Sequence, residues 1–180
     1  MSIMAIREIR TYPDPVLRKK TGRVEKIDDS LNRLIDDMVE TMHAAPGVGL
    51  AANQVGIPLQ LAVIDITSRE EREKGRSRPL IVIINPEILS MEGSVTEEEG
   101  CLSIPEYAET VKRATKVKVR AQDRTGKVFE LEAEGLLAKA FQHEIDHLNG
   151  LLFIDRLSPL KKSIFKRKYK KIAMETTEKA

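Results

Sequence analysis

The chain has a single cysteine, Cys101, among 180 residues. No intramolecular disulfide can form, and a reducing compartment is the expected setting. No apolar run approaches the roughly 20 residues that a membrane-spanning helix needs. The opening residues, MSIMAIREIRTYPDPVLRKK, hold no sustained apolar stretch before a small-residue cleavage site, and they are expected to be mature sequence. Internal repeats and low-complexity segments are missing, which excludes a repeat array. Histidine is scarce, with three in the chain, so two of them at a metal-binding interval carry information.

What remains is ordinary for a globular protein: 41% hydrophobic and 32% charged residues, with a length that can bury a core without disulfides. The formal charge of +2 hides an asymmetry. Residues 157–180 hold eight Lys/Arg and two Glu, so the rest of the chain is mildly acidic. A basic tail on an acidic body suggests a tail with its own partner.

Periodicity predicts the elements. Leu31, Leu34, Ile35, Met38, Val39 and Met42 trace one face of a helix that Asp28, Asp29 or Ser30 can cap and that Pro46-Gly47 ends. Val- and Ile-rich runs at 59–66 and 80–84 predict strands, with a charged loop, 68–79, between them. Alternation at Val117, Val119 and Ala121, then at Phe129, Leu131 and Ala133, predicts a hairpin turning at Asp123-Arg124-Thr125-Gly126. A second helix is predicted over about 136–148, stopped by Asn149-Gly150. A last one starts at Ser158-Pro159 and carries Leu160, Ile164, Phe165, Tyr169 and Ile172 on one side. The order is that of an α+β fold: antiparallel sheets packed around a central helix, with an N-terminal and a C-terminal helix. Residues 1–157 are expected to form the catalytic part, and 158–180 a basic helix of the same domain.

The central helix carries the chemistry. Residues 142–150 read Gln-His-Glu-Ile-Asp-His-Leu-Asn-Gly. His143 and His147 are four apart, so they project from one helix face and can bind one metal. Glu144, beside the first of them, can reach a water at such a metal. No histidine follows His147 to act as a third ligand. The candidate third ligand is Cys101, in Glu-Glu-Gly-Cys-Leu-Ser-Ile-Pro, because a thiolate is a good soft donor. A lone cysteine is otherwise a small buried hydrophobe. Two His and one Cys leave a fourth position open, which is the catalytic arrangement. His43 reads as structural, or as pocket rim. The stretch Gly47-Val48-Gly49-Leu50-Ala51-Ala52-Asn53-Gln54 fits either a binding loop or a tight helix-to-strand connection.

Together the three segments resemble the peptide deformylase family. Its motifs Gly-x-Gly-x-Ala-Ala-x-Gln, Glu-Gly-Cys-x-Ser and Gln-His-Glu-x-x-His are matched in order by 47–54, 99–103 and 142–147. The resemblance runs from about Ile6 to Leu160, and Ser158-Pro159-Leu160-Lys161 looks like the bacterial form with a C-terminal helix. It implies hydrolysis of the formyl group from N-formylmethionyl nascent peptides. It implies one divalent metal on Cys101, His143 and His147, Fe(II) natively, with Zn, Ni or Co as substitutes. Glu144 would be the general base, and the Leu102 N–H and the Gln54 amide the oxyanion donors. Gly49 and Ile104 would hold the peptide as an added strand. Val48 and Leu136 are candidates for the methionine pocket, with plain core packing as the alternative. Many relatives carry an Arg where this chain has Ala108, which bears on peptide binding rather than on the reaction.

The basic run 161–171 reads either as a solvated helix face or as an RNA-contacting helix. The resemblance implies docking on the large ribosomal subunit. A cytoplasmic monomer with no membrane association is expected. Two other readings compete. A zinc endopeptidase would use the same His-Glu-x-x-His, but Cys101 and the Gly47–Gln54 stretch argue against it. A non-enzymatic RNA-binding protein with a structural metal would have no use for Glu144.

Overall fold

The computed structural model describes residues 4–178. The N-terminal segment runs irregularly, apart from a 3-10 turn at Pro15–Arg18, into α1 (Asp29–Ala44). Of the three candidate caps, Asp28 serves: its carboxylate accepts the Leu31 N–H at 2.9 Å. Leu31, Leu34, Ile35, Met38 and Met42 are buried, as their spacing requires. There follow β1 (Gly49–Ala51), a 3-10 turn at Ala52–Val55, β2 (Leu61–Ile64), α2 (Arg69–Glu73) and β3 (Ile81–Glu92). Then come β4 (Val95–Cys101), β5 (Ile104–Arg113), β6 (Lys116–Gln122) and β7 (Val128–Glu134). The chain closes with α3 (Gly135–Leu148), a 3-10 turn at Phe153–Arg156, and α4 (Pro159–Glu178).

The strands form two antiparallel sheets, one of five strands ordered β1-β2-β3-β6-β7 and one of two, β4-β5. The larger sheet lies between two helices. Leu61 and Val63 of β2 pack with α1, while Ala62 and Ile64 pack with Ala138, Phe141 and Ile145 of α3. A strand buried on both faces reads as a continuous apolar run instead of an alternating one. Strand β3 bends where Asn85 takes a positive φ of 51° and the pairing with β6 shifts register. The Asn85 amide holds that bend by bonding both the N–H and the carbonyl of Val24, at 2.8 and 2.9 Å.

Three expectations need correction. The charged loop 68–79 contains the short helix α2, closed by a reciprocal pair of bonds between Ser68 and Glu71. The β4-β5 hairpin has no counterpart among the expected elements, because Val-Thr-Glu-Glu-Glu-Gly-Cys has no apolar alternation. The apolar side of α4 is divided. Phe165 is buried among Leu17, Ile104, Val111 and Phe153, and its ring meets Tyr12 and Tyr107 at 5.5 and 4.7 Å. Tyr169 packs on Tyr12 and donates its hydroxyl to the Tyr12 carbonyl. Leu160 and Ile164 stay exposed. The expected tail 158–180 is therefore anchored through its middle, and its last two residues lie outside the described ones.

Candidate metal centre and its cavity

Helix α3 presents the histidines. Its middle is fastened by Gln142, whose amide pairs with both backbone groups of Ala114, each at 2.9 Å, in the β5–β6 connection. Its end is fixed by Gly150, which has a φ of 76° and lies so near Arg18 that a Cβ would meet the Arg18 carbonyl oxygen at 2.5 Å. Between these ties, the side chains of His143 and His147 share one face, as the i, i+4 spacing predicts, with Nε2 atoms 3.1 Å apart.

Strand β4 brings Cys101 to the same point. Its Sγ lies 3.3 Å from His147 Nε2, and the three donor atoms all fall within 4.8 Å of one another. Bonds of about 2.0–2.3 Å in a tetrahedral shell would set ligand atoms about 3.5 Å apart, so the triad matches a single divalent ion. The donor chemistry agrees. Burial holds His147 well below the ordinary imidazole value, so it offers a neutral lone pair. Burial would lower His143 too, but Cys101 and Glu99 beside it raise it well above that value. A cation held at the triad would take the place of that proton.

A cavity of about 700 Å³ opens on two of the three, Cys101 and His143, and on Glu144, while His147 lies behind its wall. Gln54, Leu102, Gly49, Val48, Ile104 and Leu136 line it as well, as does Ala108. Val48 and Leu136 are 44% and 47% exposed, which decides against plain core packing for both. Ile104 is fully buried at the cavity floor, where it also belongs to the cluster around Phe165. The Gln54 side-chain oxygen, Oε1, accepts from Ala51 N–H at 2.9 Å. Its amide nitrogen is thereby turned toward Ser103 Oγ at 3.0 Å and Cys101 Sγ at 3.6 Å. The stretch 47–54 thus fits both alternatives: it holds the short connection from α1 into β1, and its Gly47, Val48, Gly49 and Gln54 line the cavity.

Glu144 is 3% exposed, and its Oε2 is buried with no hydrogen-bond partner among the described residues. Burial pushes its carboxyl up to about 7. A Cβ built on Gly49 would lie 2.5 Å from Glu144 Oε1, so this glycine admits the carboxylate. Gly49→Ala is expected to displace it and to lower kcat about 100-fold. Steady-state kinetics on a folded, metal-loaded variant checks this, and a kcat within about threefold of the parent contradicts it.

Sequence reasoning missed the charges behind the metal site. Glu99 Oε2 accepts from His143 Nδ1 at 2.7 Å, which leaves Nε2 for the ion. Arg113 bonds Glu99 through Nε and Nη2, and bonds Asp146 through Nη1 at 2.6 Å. Arg156 completes the row on Asp146. Burial would raise the Glu99 carboxyl, but its bonds to His143 and Arg113 outweigh that and hold it at about 2. Glu99 opens the Glu-Gly-Cys-x-Ser motif but carries no role that its position in sequence reveals, whereas Arg113 reaches the site only through the unpredicted hairpin.

His43 does not line the cavity. Its Nε2 meets Asp65 Oδ2 at 2.8 Å, and Arg72 reaches the same oxygen at 3.0 Å. Burial opposes ionisation of Asp65, but hydrogen bonds from Thr67, His43 and Arg72 prevail and lower its pKa from 3.8 to about 2. A carboxyl depressed on folding stabilises above its unfolded pKa, and that contribution is lost as pH falls through the folded value. About 2 kcal/mol should therefore disappear between about pH 5 and pH 2. Urea titrations should show a smaller acid loss, by about that amount, in Asp65→Asn; equal losses in both proteins would contradict the linkage.

An antiparallel α+β fold with a Cys/His/His cluster and a buried glutamate facing a cavity defines a metal-dependent hydrolase. The family model for polypeptide deformylase matches residues 6–163, and the chain belongs to that family. A peptide deformylase of Syntrophobacter fumaroxidans is 58% identical over 97% of this chain and 99% of its own length. The crystal structure of a peptide deformylase from Legionella pneumophila superposes with a TM-score of 0.85 at 52% identity, covering 96% and 98% of the two chains. That of the Thermus thermophilus peptide deformylase also gives 0.85, at 43% identity and 97% and 99% coverage. The reaction of the family is removal of the N-formyl group from the methionine of new chains. Among the described residues, no helix is long and apolar enough to cross a membrane.

Proposed function

We propose that Cys101, His143 and His147 hold one divalent ion and that Glu144 is the general base for deformylation. The observation carrying this reading is the Glu144 carboxyl, buried against Gly49 at the wall of the cavity that reaches Cys101 and His143, with its Oε2 unpartnered among the described residues. The ion, when bound, acidifies a water and polarises the formyl carbonyl. Glu144 accepts the proton of the attacking water and returns it to the leaving amine. The Leu102 N–H and the Gln54 amide receive the charge that develops on the formyl oxygen. Gln54 is suited to this because its side-chain Oε1 is already tied to Ala51 N–H. Gly49 and Ile104 offer backbone groups to the substrate peptide, and Val48 and Leu136 receive the methionine side chain. With Ala108 in the cavity wall, no guanidinium stands at that position for the peptide.

The assay follows products. Incubation with a formylated Met-Ala-Ser peptide extended by several residues should yield the same peptide without formyl. Internal cleavage products would favour the endopeptidase reading. Fe(II) is the proposed native ion. Oxidation of iron and of the Cys101 thiolate should then inactivate the enzyme in air, and activity kept for hours in aerated buffer would count against iron.

Residues 1–157 are proposed as the catalytic part and 158–180 as a basic helix of the same domain, in a cytoplasmic monomer. The helix is proposed to dock on the large ribosomal subunit through Lys166, Arg167, Lys170 and Lys171, which are exposed. Because Phe165 and Tyr169 are packed against the body, truncation would disturb the fold along with the charge. Replacing those four cations by Glu separates the two effects. Co-sedimentation with ribosomes should be lost, and unchanged co-sedimentation would sink the docking reading.

A further inference from the structure

We propose that Asn53, at a variable position of the Gly47–Gln54 motif, is the positioning residue for His147. Its Nδ2 holds the His147 main chain, and its Oδ1 is the acceptor that the imidazole Nδ1–H reaches across one water. This inference rests on the assignment of His147 as a ligand.

The two histidines differ in support. An imidazole that binds a metal through Nε2 carries its proton on Nδ1, and that N–H almost always meets an acceptor which fixes the ring. His143 has this acceptor in Glu99, at 2.7 Å. For His147, Nε2 faces Cys101 and His143 at 3.3 and 3.1 Å, so Nδ1 is the nitrogen left with the proton. That Nδ1 is buried and has no partner among the described residues. A buried donor in this position requires an acceptor.

Asn53 supplies one of the right kind in the right neighbourhood. It is fully buried, and its Nδ2 donates to the His147 carbonyl at 2.6 Å across 94 positions of sequence. The assignment of that nitrogen follows from chemistry, since a carbonyl can only accept. The other end of the amide is then Oδ1, which is also buried and also unpartnered among the described residues. An acceptor lacking a donor and a donor lacking an acceptor thus sit on two residues already joined by a short bond. Asn53 also precedes Gln54 on the same 3-10 turn. The one side chain therefore ties the proposed oxyanion donor to the helix that carries the metal.

The test reads the imidazole itself. In 15N-labelled protein loaded with Zn(II), long-range 1H–15N spectra should show His147 as the Nδ1–H tautomer, with a proton protected from exchange. In Asn53→Leu, which has similar bulk but no polar group, that protection should vanish. Loss of Zn(II) to a chelator should quicken about 10-fold or more. Asn53→Thr, whose hydroxyl can donate and accept, should recover part of the retention. A Leu variant that is less stable but keeps the parent's chelator rate would make Asn53 merely structural and overturn the proposal. Should that variant fail to fold, the parent decides: an unprotected His147 Nδ1–H also overturns it. If Zn(II) shifts neither His143 nor His147, the ligand set fails and this inference falls with it. If both shift but His147 is unprotected, only the inference fails.

Discussion

Glu144→Ala is expected to lower formate release by about 1000-fold while the metal content of the protein stays unchanged. The two halves of that result come from different atoms. Glu144 is not among the three donor groups that cluster, so its removal leaves Cys101, His143 and His147 in place. Its carboxylate is nevertheless the buried acceptor at the cavity wall, with one oxygen against Gly49 and the other unpartnered among the described residues. Metal analysis and formate release measured on one preparation check the prediction. Activity within about tenfold of the parent would remove Glu144 from its role, whereas joint loss of metal and activity would make it a ligand.

The second large effect falls on stability. Arg113→Met is expected to destabilise the fold by about 3–5 kcal/mol, a large part of the roughly 5–15 kcal/mol available to a domain. Arg113 is 4% exposed and stands between two carboxylates, Glu99 and Asp146, that are themselves nearly buried. Its removal leaves both without their shared cation, although Asp146 keeps Arg156 and Glu99 keeps His143. Urea unfolding provides the measurement, and a change below about 1 kcal/mol would contradict the account. Replacing Glu99, Arg113 and Asp146 together by apolar residues should restore much of the stability. It should not restore activity, because His143 then lacks the acceptor at its Nδ1. That separation would show the row of charges serving the metal site more than the fold.

The parts of this fold that could be read in advance are those where burial has a period. Helix α1 and the β6-β7 hairpin follow the 3.6- and two-residue patterns because each has one face in the core. The Cys/His/His cluster was legible because His143 and His147 lie one helical turn apart and the lone Cys101 stands in a distinctive setting. The β4-β5 hairpin escaped notice because its strands turn glutamates to solvent and to Arg113 instead of apolar side chains to a core. With the hairpin went Arg113, whose partners are 14 and 33 positions away. Asn53 likewise takes its meaning from a contact 94 positions distant. On α4, the five apolar residues of the expected stripe cannot all reach the body, and the aromatic cluster of Tyr12, Tyr107 and Phe153 selects Phe165 and Tyr169. Spacing reports which residues can share a face, but it does not report how far that face is covered.

The most direct measurement is formate release from formyl-Met-Ala-Ser by protein stripped with a chelator, assayed before and after one equivalent of Fe(II) or Ni(II) without oxygen. An acetyl-Met-Ala-Ser peptide serves as the control. The account predicts no release by the stripped protein, recovery on addition of a single equivalent, and no action on the acetyl peptide in either state. Equal release by stripped and reloaded protein, or none after reloading, would contradict it.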